Sequence, residues 1–191
     1  MKLLLVLCFA VATVLSQQPR PCESPKQWEG RLSRYDRTRQ FFQRARVSYD
    51  ELDRRVREIE EVEIGKTVDY YDVLYLHNVG LEYRLNLKTR QCTLTPLTRP
   101  FIPAGLPPDA NYRGQATLGA SGIPDEYTEV VLFDGTFEGN QYFGVVTYPD
   151  CVPVESGFYS NRTGSVRTNF YDISLGVADP SVFVPPTECQ K

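Results

Sequence analysis

From residue 81 to residue 88 apolar and polar side chains change places at every step. Leu81, Tyr83, Leu85 and Leu87 alternate with Glu82, Arg84, Asn86 and Lys88, the period-two pattern of a half-buried strand. Tyr71, Val73 and Tyr75 repeat the pattern upstream, with Asp72 and Leu74 between them. His77, Asn78, Val79 and Gly80 separate the two runs, and Gly80 supplies the positive φ of a turn, so residues 69–88 are expected to form a hairpin. Further strands are expected at residues 28–36, 41–49, 127–133, 142–148, 152–159 and 165–174. Residues 49–63 carry Leu52, Val56 and Ile59 at helical spacing among dense charges, but a strand over residues 56–64 is the preferred reading. Six prolines between residues 96 and 125 predict a long irregular connection, and the Pro-rich tail from residue 179 needs Cys189 to hold it. At least eight antiparallel strands and few helices follow, in a single domain. Two stacked sheets or an open barrel would bury one face of each strand. A barrel mouth or the gap between curved sheets is a common ligand site.

Composition agrees with that picture. Twelve Tyr and ten Phe against one Trp and one Met suit pleated surfaces, and a net charge of -3 excludes a nucleic-acid binder acting through basic surface alone. Residues 1–16 read as a signal peptide: Lys2 precedes an apolar stretch, and Ser16 with Val14 permits cleavage before Gln17. The apolar run is too short to span a bilayer, which needs about 20 residues. The mature domain is then residues 17–191, secreted and extracellular. Removing the leader removes Cys8 and leaves Cys22, Cys92, Cys151 and Cys189, an even number that points to two disulfides. Spacing alone leaves all three pairings open. Asn161, Arg162 and Thr163 form a glycosylation sequon.

The candidate chemistry is sparse. His77 is the chain's one histidine; it sits in the hairpin turn, is read as an exposed turn residue, and has no Gly-x-Ser-x-Gly elbow to serve. Phosphate loops and dinucleotide fingerprints are missing from the sequence as well, so no enzyme is expected. Asp125, Glu126, Glu129, Asp134, Glu138 and Asp172 are candidate calcium ligands, but none has EF-hand spacing, and solvated acids between strands is the simpler reading. Residues 17–58 carry 11 Lys and Arg against 7 acids, and the series Arg31, Arg34, Arg37, Arg39, Arg44 and Arg46 could draw anionic lipid head groups or glycans. Pairing of those arginines with acids elsewhere in the fold is preferred.

The termini carry a resemblance. Cys22, Pro25, Trp28, Glu29, Gly30 and Arg31 make the opening Cys-x-x-Pro-x-x-Trp-Glu-Gly-Arg, with Ser48, Tyr49 and Asp50 following. Asp150, Cys151, Val152, Pro153 and Val154 form a second block, and the run from Phe170 through Gly176 to Asp179, Pro180 and Phe183, then Pro185, Pro186 and Cys189, a third. The chain resembles the ependymin-related family across its whole mature length. That resemblance implies a secreted glycoprotein, with some members also found in lysosomes, and two stacked antiparallel sheets like those of bacterial lipoprotein carriers around a deep apolar pocket. It implies calcium binding as an ascribed role, so that, with no catalysis expected from the residues, no cofactor is required and calcium is the one candidate. Expected partners are a hydrophobic small molecule such as a lipid or fatty acid, the extracellular matrix, and a second copy of the chain in a homodimer. The alternative role is calcium-dependent cell–matrix adhesion. Matching positions pair Cys22 with Cys151 and Cys92 with Cys189. The region near Gly65 lacks a cysteine that vertebrate members carry, and no sequon stands near Asn111, so the chain looks like an invertebrate-type member with two bonds. The resemblance carries over no pocket-lining residue and no metal ligand.

Overall fold

The computed structural model describes residues 22–107, 109–137, 139–160 and 164–190. Residues 1–16, read as a signal peptide, and the sequon residue Asn161 lie outside that set. The described residues form eleven strands: β1 Gln27–Asp36, β2 Phe41–Asp50, β3 Arg55–Ile64, β4 Thr67–Leu76, β5 Leu81–Asn86, β6 Cys92–Pro96, β7 Asn111–Gly119, β8 Tyr127–Phe137, β9 Asn140–Thr147, β10 Pro153–Ser160 and β11 Gly164–Leu175. Two short 3-10 turns, Pro180–Phe183 and Thr187–Cys189, close the described chain.

All the strands belong to one open antiparallel sheet, in the order β6-β5-β4-β3-β2-β1-β11-β10-β9-β8-β7. The mainly β, unclosed architecture is as expected, but the two sheets are continuous. Two meanders, β1 to β6 and β7 to β11, are welded where β1 pairs with β11, from Trp28 opposite Leu175 to Asp36 opposite Val166. The segment between β6 and β7 must therefore travel from one outer edge of the sheet to the other. It does so across one face, where Phe101 and Ala104 pack on the first meander and Leu106 on the second.

Alternation decides which side chains lie under that segment. In register, Trp28 stands opposite Tyr49, Tyr49 opposite Val56 and Val56 opposite Tyr75, so one inward row crosses four strands. The row belongs to a core of Trp28, Leu32, Ala45, Val47 and Tyr49, with Phe170 and Ile173 of β11 against it. A second core gathers Val131, Phe133, Val146 and Cys151. On the opposite face the C-terminal tail covers part of the first meander. Arg57 grips Asp72 through Nε at 2.7 Å and donates from Nη1 to the Val182 carbonyl at 2.7 Å. The buried Phe183 ring lies 4.4 Å from the Arg55 guanidinium.

Two local expectations hold and two change. The strand reading of residues 56–64 holds as β3, entered through a turn in which Arg54 takes φ 49°. Residues 96–125 are not irregular throughout, because β7 lies inside them. Its Asn-Tyr-Arg-Gly-Gln-Ala-Thr-Leu-Gly sequence shows little alternation because an edge strand has a single neighbour and keeps most side chains in solvent. His77 is half-buried rather than exposed, its ring 5.2 Å from Phe101 and edge-on to it. Gly80 does take positive φ, at 71°.

Candidate functional site

The crossing segment does not fill the concave face completely. Between it and the strands lies a cavity of 420 Å³, within the range of roughly 300–1,000 Å³ seen for ligand pockets. Trp28, Leu32 and Val56 from the first meander form one wall, and Tyr142, Phe158 and Phe170 from the second form the other. Ile102, Pro103, Ala104 and Gly105 form the cover. The cover is fastened at Tyr49, which stacks on Trp28 at 5.2 Å and on Phe101 at 5.8 Å between ring centres. The Ala104 amide donates to the Tyr49 hydroxyl at 3.0 Å, and that hydroxyl donates to Glu51. Burial pushes the Tyr49 phenol well above its ordinary value, and Tyr142 in the opposite wall up to about 12, so both stay neutral donors.

One end of the cavity is polar. Arg34 and Glu58 reach its lining from a network buried in the sheet. Arg34 Nη1 donates to Gln43 Oε1 at 2.6 Å, and Gln43 Nε2 donates to Glu58 at 3.0 Å and also to Glu60. Arg84 Nη1 meets the other oxygen of Glu60 at 2.9 Å. Arg34, Glu58 and Glu60 share one amide and Arg84 joins through Glu60, an arrangement that offsets desolvation only while every member is present. Burial, reinforced by Glu58 and opposed by Arg84, raises the Glu60 pKa. Arg99, at the rim, lies 4.0 Å over the Tyr75 ring and forms no ion pair among the described residues. The result is an apolar slot with aromatic walls and charged groups confined to one end.

A larger hollow of 810 Å³ lies on the opposite face, among Arg31, Phe42, Arg44, Ile59, Tyr70 and Tyr171. Among the described residues no crossing segment lines it, and its charges are largely spent. Arg31 pairs with Asp172 and Arg44 with Glu61. Elsewhere in the series Arg34 joins the buried network and Arg39 pairs with Asp36, so mutual pairing accounts for most of these arginines.

The acids singled out in the sequence do not converge. Asp134 pairs with Arg113, Asp172 with Arg31, and Glu129 accepts from Gln115 and Thr117. Asp125 and Glu126 stand exposed in the β7–β8 turn, and the placement of Glu138 lies outside the described residues. Among the described residues no three His, Cys, Asp or Glu side chains gather as a metal site. His77 does not line the cavity, and burial together with the Arg99 charge holds its pKa below the ordinary value.

The cysteines lie where the fold needs fastening. Cys22 is bonded to Cys151, joining the segment before β1 to the second core, and Cys92 to Cys189, joining edge strand β6 to the tail.

A family model described as Ependymin matches residues 65–189. The chain belongs to the ependymin family. Among its ependymin relatives, mammalian ependymin-related protein 1 of Rattus norvegicus is 34% identical over 176 residues, covering 90% of this chain and 77% of the relative. The Mus musculus protein of the same name aligns to the same extent. Ependymin of Notemigonus crysoleucas is 25% identical over 193 residues, covering 99% of this chain and 89% of the relative. The ependymin fold of this chain is also similar to the crystal structure of an uncharacterized conserved protein from Thermus thermophilus. That likeness has a TM-score of 0.51 at 13% identity and covers 86% of this chain and 88% of the other, so it concerns the fold alone.

Sequence reasoning placed none of the cavity's lining. The usable signal was in β3, where Glu58 and Glu60 occupy positions that alternate in phase with Val56 and Val62. Carboxylates on the buried face of a strand announce either an internal network or a site.

Proposed function

We propose that this ependymin-family protein is a secreted, non-catalytic carrier that holds a hydrophobic ligand, a lipid or fatty acid, in the cavity on the concave face of its sheet. One observation carries the reading: the segment spanning the sheet stands over an aromatic-walled slot instead of packing flat on the strands. Close packing is the rule in protein interiors, and a slot of this size is a departure from it. The acyl chain would lie along Trp28, Leu32, Phe158 and Phe170, with polar atoms toward Arg34, Glu58 and Arg99. The disulfides support an oxidising, extracellular setting. β6 and β7 are the edge strands of the sheet, each with a single strand neighbour, which supports a homodimer. The adhesion reading gains no support from the placement of the acids.

Native mass spectrometry of protein secreted from eukaryotic cells tests the proposal. The expected spectrum shows a dimer carrying an extra mass that organic extraction removes and that fragments as a lipid. Protein that arrives without such a mass, and takes up no added lipid, overturns the carrier reading.

A further inference from the structure

How much chain the cavity can take is set by its volume and by whether its cover can lift. The cover is fastened on both flanks. Phe101 stacks on Tyr49 and meets His77 edge-on, and the Ala104 amide donates to the Tyr49 hydroxyl at 3.0 Å. Leu106 packs into the second core beside Cys151, whose bond to Cys22 ties down the segment before β1. Ser24 of that segment stands close to Gly105, where an added Cβ would lie 3.3 Å from the serine hydroxyl oxygen. The floor is the sheet itself, each strand hydrogen-bonded to the next from β6 to β7. Space between a pinned cover and a continuous sheet does not swell freely to suit its contents.

A volume of 420 Å³ is therefore a limit on the ligand. One water's share of liquid volume is about 30 Å³ and a methylene group is of similar size, so the cavity takes about 14 methylene groups. That is a single acyl chain of ordinary length, and two such chains need twice the room. A second chain has no refuge next door. The hollow that shares Tyr142 and Phe158 with the cavity is edged by Asp109, Asn111, Asp134 and Gln141, whose polar atoms a chain would strip of water. The larger hollow lies on the opposite face, with the sheet between. Charge sets the orientation: among the described residues Arg34, Glu58 and Arg99 are the charged members of the lining, so a polar head stays at their end while the tail fills the rest. We infer that the cavity selects single-chain amphiphiles, with one acyl tail of about 14 carbons, and excludes diacyl lipids. This inference rests on the carrier reading and narrows its ligand class.

The test titrates the full mature chain with lysophosphatidylcholines from octanoyl to stearoyl, each below its micelle-forming concentration, and with vesicles of dimyristoyl phosphatidylcholine, which carries the same head group. Calorimetry reads affinity, and native mass spectrometry reads the number of lipids bound. Affinity is expected to rise roughly fourfold with each added methylene as far as the myristoyl chain and to level off beyond it, with one lipid per protein chain. The diacyl lipid is expected to leave no bound mass. A bound diacyl lipid, two lysolipids on one protein chain, or tightening that continues undiminished to the stearoyl chain would overturn the single-chain limit and leave the carrier reading standing. Binding of no member of either set would bring down the carrier reading and this inference with it.

Discussion

Opening the two disulfides separately distinguishes chain entropy from packing. Cys22–Cys151 spans 129 residues and Cys92–Cys189 spans 97. If each bond worked only by restricting the unfolded chain, their loops would contribute about 4.9 and about 4.7 kcal/mol, a difference of about 0.2 kcal/mol. The folded surroundings are unequal, however. Cys151 is fully buried among Val131, Phe133 and Val146, whereas Cys92 and Cys189 sit half-buried at the sheet's margin. Replacing Cys22 and Cys151 by alanine therefore adds a packing loss of about 1–2 kcal/mol that the other pair avoids. Urea unfolding at neutral pH should place the Cys22→Ala/Cys151→Ala protein that much below Cys92→Ala/Cys189→Ala. The second variant should also release its tail, seen as early proteolysis near Phe183 while the sheet remains protected. Equal losses within about 0.3 kcal/mol, or a larger loss for the marginal bond, would refute the packing argument.

Glu60 gives a pH signature. Its pKa is raised in the folded protein by burial, so folding takes up protons as the pH falls through the folded value, and that stabilisation is fully present below the ordinary carboxylate range. Against Glu60→Gln, wild-type stability in urea should improve between pH 7 and pH 4.5; a constant gap would refute the shift. Asp50 runs the other way: burial favours its neutral form, but hydrogen bonds from Gln27 and Arg55 prevail and lower the pKa, so its contribution is lost on acidification. Gly119 ends β7 at φ 99°, and a Cβ there would strike the Glu126 carbonyl, so Gly119→Ala should cost about 2 kcal/mol or more in thermal unfolding. A change within about 0.5 kcal/mol would show that the turn accommodates the methyl group.

The hairpin around Gly80 and the strands on either side of Asp36 were legible in the sequence because alternation and turn chemistry act between near neighbours. Strand β3 was legible despite its dense charge, since Val56, Glu58, Glu60 and Val62 keep one phase. The resemblance of the terminal blocks named the family and implied the cysteine pairing, which no spacing argument could supply. What tertiary structure decided is everything that depends on distant segments meeting. β1 and β11 lie at opposite ends of the domain, and their pairing turns two meanders into one sheet. That order forces residues 97–107 across the concave face, and their failure to settle onto it leaves the cavity. In the sequence Trp28 stands out only as part of the opening block that carries the resemblance. Its buried place, stacked on Tyr49 and edge-on to Phe170, is set by strands β2 and β11 meeting β1. Alternation fixes which face a side chain takes, a local matter of backbone geometry; what that face meets is set by long-range packing, which period-two patterning does not encode.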